Sequence, residues 1–210
     1  MSLVELIAQA DERGLATSGL ACLDRVVPLL GGDDEVLRPL WAGLVDDGEG
    51  WGEKAAKVRA ELEAAASVTA ASVTAASVAA APVAAATISA ATVSLARRML
   101  DAVPVERTGD GLREWADVCS VSALRIHQLL DPLDRGGDDS VAACRQGRTE
   151  GVSHLVAAEL RRQVVVLELL AQHGAGGVRQ ALDVSTEGRR VLRAVVSRRA
   201  RGARGAGGRP

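Results

Sequence analysis

The chain has no phenylalanine and no tyrosine, and Trp41, Trp51 and Trp115 are its entire aromatic complement. Strands rely on aromatic and β-branched cross-strand pairs, so this scarcity argues against a dense β-sandwich. Single-strand nucleic-acid modules stack bases on aromatic side chains, and the platforms for that are missing. Lysine is scarce as well: of 25 basic residues only Lys54 and Lys57 are lysines, the rest being arginine. Ala, Val and Leu are plentiful instead, at 38, 26 and 25 of 210 residues, which is enough aliphatic surface to exclude wholesale disorder.

The three cysteines, Cys22, Cys119 and Cys144, form no CxxC pair and no secreted framework, so a reducing, cytoplasmic location is expected. The opening residues MSLVELIAQADERG carry acids where a signal peptide needs a basic region, so export by that route is not expected. The sequence contains no phosphate-cradling GxxxxGK[ST], no GxGxxG after a strand, no GxSxG and no HExxH.

Charge divides the chain. Residues 1–63 hold 13 acids and 6 bases, residues 97–187 hold 14 and 11, and residues 188–210 hold eight arginines and no acid. Between Glu63 and Arg97 lie 33 consecutive uncharged residues, within which residues 67–96 read as six five-residue units, SVTAA SVTAA SVAAA PVAAA TISAA TVSLA. Four regions are therefore expected: a helical region 1–63, a low-complexity linker 64–96, a helical region 97–200 and a disordered Arg/Gly tail 201–210.

Three structures compete for the tract. A transmembrane helix has the length, but nine Ser or Thr residues and Pro82 leave insertion weakly driven, so transmembrane insertion is not expected. The units resemble those of pentapeptide-repeat β-helices, although six of them complete only about one and a half coils. In an α-helix a five-residue step turns about 140°, so the branched residues spiral around the axis and form no stripe. We read the tract as an Ala-rich linker, partly helical and broken near Pro82.

Helical signals flank it. Ser2 and Glu5 have capping-box spacing, and Gly14 is placed to close the helix they open. Leu20, Leu23, Val27 and Leu30 continue the pattern. Asp33 or Asp34 can cap a further segment whose inner side is Val36, Leu37, Leu40, Trp41 and Leu44, and Pro28 and Pro39 are expected to interrupt or kink these helices. Leu112, Trp115, Ala116, Cys119, Ala123, Ile126 and Leu130 share a face before Pro132. Residues 153–173 are apolar nearly all round, the mark of a central buried helix. A last helix is expected from Ser185 through Val191, Leu192, Val195 and Val196. The fold class is all-α, a helical bundle or an irregular array of helical hairpins.

Residues 26–44, VVPLLGGDDEVLRPLWAGL, and residues 167–196, LELLAQHGAGGVRQALDVSTEGRRVLRAVV, resemble the helix–turn–helix unit of armadillo and HEAT repeats. The resemblance covers about 50 residues and lacks those families' regular spacing of about 40. It implies a helical scaffold that binds a partner along its surface, with no catalytic residue to carry over.

Candidate chemistry is thin. Cys119 and His127, or Cys144 and His154, are the thiol and imidazole pairs nearest in sequence, but Cys119 lies on an apolar face where a buried thiol is ordinary. Glu150 with His154, and His127 with Asp131, have a spacing that can offer two metal ligands, yet no Glu-x-x-His occurs and no metal or cofactor is expected. Gly174, Ala175, Gly176 and Gly177 with Arg179 fit an anion-binding turn or a plain connection between helices. Trp51, flanked by Gly50 and Gly52, is either an exposed partner anchor or folded back on the core.

A non-enzymatic protein-interaction or scaffold module is the function expected, with a protein partner. A regulator contacting nucleic acid or an anionic surface through the tail stands second, and an enzyme third. The candidate partner-binding residues are Trp51, Arg189, Arg190, Arg193, Arg198, Arg199, Arg201 and Arg204. A solvated terminus is the alternative for the tail.

Overall fold

The computed structural model describes residues 1–46, 49–77, 90–131, 134 and 137–206, the side chains of 66, 68–77, 138 and 200–206 excepted. The capping box forms as expected: Ser2 Oγ accepts from Glu5 N–H, and Glu5 accepts in return from Ser2 N–H at 2.7 Å. It opens α1 (Leu3–Gln9), which ends before Gly14. Asp11 takes over as a new N-cap, accepting from Gly14 N–H at 2.7 Å, with Glu12 in the favourable first turn of α2 (Glu12–Val26). Gly14 therefore starts a helix and does not close one.

A 3-10 turn, Val27–Leu30, takes in Pro28 and is closed by Gly31 at φ 75°, a left-handed conformation suited to glycine. Asp33 makes a local turn by accepting from Glu35 N–H, and α3 (Arg38–Val45) begins with Pro39 in its first turn. Pro39 opens that helix and kinks nothing, because a first-turn N–H has no helical acceptor to lose.

The remaining helices are α4 (Trp51–Ser77), α5 (Ala90–Asp101), α6 (Gly109–Leu130), α7 (Asp138–Arg145), α8 (His154–His173) and α9 (Gly177–Ala206). The architecture is all-α, with no strand among the described residues. Two stretches of the expected linker are helical, 64–77 as the continuation of α4 and 90–96 as the start of α5, where Thr92 and Ala96 are buried. Residues 67–77 are thus helix and not β-helix, while Pro82 lies outside the described residues. Among the described residues no helix is long and apolar enough to cross a membrane.

One core takes side chains from both flanking regions, from Leu3 through Leu62 and from Ala96 through Leu192. Its centre is α2, which packs directly on α6, α8 and α9 and is buried from Gly14 to Val26. This corrects the choice of residues 153–173 as the central helix: α8 leaves Val165 39% exposed. Small residues explain the difference. At Gly19 a Cβ would lie 2.7 Å from the Trp115 ring, so α2 and α6 meet at a distance only glycine allows. Trp115 is fully buried there, donates from Nε1 to Met99 O and stands edge-to-face with Trp51, ring centroids 5.9 Å apart. Solenoid repeats touch only their neighbours, whereas here α2 lies against α9, so the arrangement is a bundle.

Helix α9 continues through Ala206, so 201–206 is helical where an irregular tail was expected. Elongating a docked helix adds residues without a new nucleation cost, which offsets the glycines at its end.

Candidate functional site

The most concentrated chemistry of the molecule sits in its interior. Arg25, on the inner side of α2, donates from Nη2 and Nε to the Glu159 carboxylate of α8 at 2.6 and 3.0 Å, and both residues are fully buried. Gln163, one turn further along α8, donates to Glu159 at 3.0 Å and accepts from Ser120 of α6 at 2.8 Å. Ser120 also accepts from Arg145 of α7, whose guanidinium pairs with Asp117. His127 stands on the other side, with Nδ1 2.8 Å from Ala123 O and Nε2 3.8 Å from Glu159. An unbroken polar chain thereby joins α2, α6, α7 and α8.

Each group's ionisation follows from its neighbours. Burial opposes the charge on Glu159, but Arg25 outweighs it and holds the carboxyl below its usual range. Burial likewise opposes the charge on Arg25, and Glu159 keeps the guanidinium more firmly protonated than usual. Burial pushes the His127 imidazole down, towards the neutral form. The Cys22 thiol, 3.3 Å from Arg25 Nη2, is pushed up to about 12 by burial, and burial also raises Cys119 and Cys144. These three free thiols are buried and held in the unreactive form.

A second cluster ties α9 to α2. Asp24 Oδ1 accepts from Arg189 Nη1 at 2.9 Å, and Arg189 also donates to Asp34 O at 3.1 Å. Arg193, one turn on, makes a two-pronged contact with the Asp34 carboxylate. The Arg193 bond holds Asp34 below the usual carboxylate range. Asp24 behaves oppositely: burial raises its carboxyl to about 6 despite Arg189 and Arg25.

The candidate partner-binding residues fall into four groups. Trp51 is 4% exposed and donates from Nε1 to Pro104 O at 2.9 Å, which is the folded-back placement, so its ring offers no surface to a partner. Arg189 and Arg193 are engaged by Asp24 and Asp34, and Arg199 donates to Leu129 O at 2.8 Å. Arg190, paired within its helix to Glu187, and Arg198 are exposed. Arg201 and Arg204 lie on α9, and their side chains are outside the described residues.

The two-residue ligand pairs do not assemble. Glu150 lies in the turn before α8, and the His127 ring is occupied by Ala123 and Glu159. Among the described residues there is no group of three or more His, Cys, Asp and Glu able to hold a metal. Gly174 to Gly176 form a 3-10 turn, and a Cβ on Gly177 would lie 2.5 Å from Leu169 O, so this glycine run serves a tight turn from α8 to α9.

Sequence reasoning missed Arg25, Glu159, Gln163 and Asp24. A signal was present: Val156, Glu159, Gln163, Val166 and Leu170 recur at three- and four-residue spacing, which puts two polar residues on an apolar stripe. No known protein family, no curated protein and no solved structure matches this chain.

Proposed function

We propose that this chain is a non-enzymatic, intracellular helical module that binds another protein. The observation that carries the reading is a groove of ≈ 490 Å³ running between α5, α6 and α7. Leu95, Leu129 and Val141 give it apolar walls, and Val121 is 40% exposed. The charged residues lining it are Arg98 and Arg125, both basic. A groove with apolar walls and a basic lining suits an amphipathic helix bearing acids beside its apolar stripe. The interior network supports the same reading, because Arg25, Glu159 and His127 hold helices together in a place no substrate reaches. An intracellular location accords with three free cysteines.

Capture with immobilised full-length chain, after nuclease treatment and high-salt washing, tests the proposal when run beside Val121→Glu and Arg98→Glu. Both changes are on exposed positions and are expected to leave the fold intact while losing the captured protein. Retention by both variants, or loss on nuclease treatment alone, overturns it. The nucleic-acid reading retains less of its original basis, since Arg189 and Arg193 are engaged internally.

A further inference from the structure

Helix α7 is packed apart from the main core. Its Val141 and Cys144 join Leu124 of α6 and Val156 of α8 in a small core of four buried side chains, with Val152 and Leu160 partly buried against it. His127 follows Leu124 by one turn of α6, and Glu159 follows Val156 by one turn of α8, so the gap between His127 and Glu159 adjoins this small core. His127 is 2% exposed, whereas His154 and His173 are on the surface.

Both ring nitrogens of His127 face groups that only accept. Nδ1 lies 2.8 Å from Ala123 O and Nε2 3.8 Å from Glu159 Oε2. The neutral ring therefore carries its proton on Nδ1 and turns the Nε2 lone pair towards a carboxylate. A proton on Nε2 removes that conflict and creates another. Glu159 already accepts from Arg25 Nε and Nη2 and from Gln163, so the enclosed group of Arg25, Glu159 and His127 would pass from zero net charge to +1.

Little else nearby can balance that charge. Arg162 of α8 acts on the ring as a further cation. The buried side chains of α1 and α5 carry no charge, and Arg145 of α7 is engaged further back on α6 by Asp117 and Ser120. Asp131, at the C-cap one turn on, is partly exposed to solvent.

We propose that His127 is a proton-operated catch on α7. Neutral, it leaves Glu159 to Arg25 and the small core stays shut. Protonated, it places an uncompensated charge beside that core, which opens between the end of α6 and the first turns of α8 and frees α7. Helix α7 is the element that yields, because its polar ties, Arg145 to Asp117 and Ser140 to Gln128, are only partly buried. Val141 also lines the groove between α5, α6 and α7, so opening would reshape it. That consequence rests on the partner-binding reading, whereas the catch itself does not.

The sign follows from the closed form. Burial holds the enclosed imidazole below its ordinary value of 6.5, against the pull of Glu159, and the opened, hydrated form regains that value. Closure is therefore fully favoured above 6.5 and weakens as pH falls towards the closed-form value. One proton taken up on opening raises the opening equilibrium by up to about tenfold per pH unit over that interval.

The test reads the Cys144 thiol, 1% exposed when the small core is shut. The full chain is treated with a dipyridyl disulfide, which attacks thiols in mild acid as well as at neutral pH. Labelling of each cysteine is followed by peptide mass spectrometry against free glutathione at the same pH. Between pH 7 and 5.5 the relative Cys144 rate is expected to rise at least roughly threefold. Cys22 and Cys119, in the main core, should stay protected. His127→Gln, which cannot take the proton, should abolish the rise, and Asp24→Asn, which removes the α2 carboxyl held at about 6, should leave it in place. A reading independent of those variants comes from the chain carrying His154→Gln and His173→Gln at exposed positions, where NMR titration of the single imidazole should give a value below 6.5. No rise at Cys144, an equal rise in His127→Gln, loss of the rise in Asp24→Asn, a rise shared equally by all three thiols, or an imidazole titrating at or above 6.5 overturns the proposal.

Discussion

Gly188 of α9 lies against the aliphatic stem of Arg25 so closely that a Cβ at position 188 would fall 2.2 Å from Arg25 Cδ and 3.1 Å from Arg162 Cδ. The stem cannot move aside, because the guanidinium at its end is fixed on Glu159 within the core. Glycine costs a helix interior about 0.5–1 kcal/mol relative to alanine, so an ordinary site would gain from the change. Gly188→Ala is expected instead to destabilise by about 1–3 kcal/mol through overpacking. Gly176→Ala, where nothing lies within 4 Å of the new Cβ, is the control and should be nearly neutral in urea denaturation.

The Arg25–Glu159 pair predicts strong coupling. Removing one partner leaves a buried charge uncompensated, so Arg25→Met or Glu159→Gln alone should cost about 3–5 kcal/mol. The double variant should cost clearly less than the sum, since both charges leave together. Additive losses in a double-mutant cycle would show that the two groups do not act as a pair. The pH sign is set by Glu159, whose carboxyl is lowered on folding: its stabilisation is present above the unfolded value near 4.5 and is lost as pH falls below it.

These two relationships also mark what could be read from the sequence. The all-α class was legible because caps and three- and four-residue spacing act locally: Ser2 and Ser153 cap the helices they precede. The centre of the fold was not, because α2 is buried through Gly14, Ala16, Ser18, Gly19 and Ala21, residues that carry little hydrophobic signal yet allow close approach. Arg189 and Arg193 read as part of a basic tail because their acids lie 165 and 159 residues away, at Asp24 and Asp34. Local charge counting cannot see such pairs.

Asp24 runs opposite to Glu159. Its carboxyl is raised from 3.8 to about 6 on folding, so the folded state favours its protonated form. The stability of wild type relative to Asp24→Asn should therefore be greatest below about pH 4, decline as pH rises through 6, and level off above it. The size of the decline follows from the difference of about two pH units, on the order of 3 kcal/mol. Thermal or urea unfolding of both proteins from pH 4 to 8 checks this. A difference that is flat, or that grows with pH, contradicts the placement of Asp24.

The basic C-terminus has to be divided at the right residue before its function can be tested. A chain ending at Glu187 removes every tail arginine, but it also removes Leu192, which is 1% exposed in the core, and Arg189, the partner of buried Asp24. Losing a buried leucine costs about 2–5 kcal/mol, and leaving a carboxylate unpaired adds to it. That truncation is expected to be strongly destabilised, so any binding it loses would report on the fold and not on the tail. A chain ending at Ala200 keeps Arg189, Arg193 and the Arg199 bond to Leu129 O, and should match the full chain within about 0.5 kcal/mol. Duplex DNA titrated against the full chain and the Ala200 form at two salt concentrations then isolates Arg201, Arg204 and Arg209. Phosphate contact by those three would appear as weak, sequence-indifferent binding by the full chain alone, with a log–log salt slope no steeper than about −2.7, given roughly −0.9 per phosphate. A steeper slope, or equal binding by both forms, would transfer the contact to the exposed Arg190 and Arg198 on the docked part of α9.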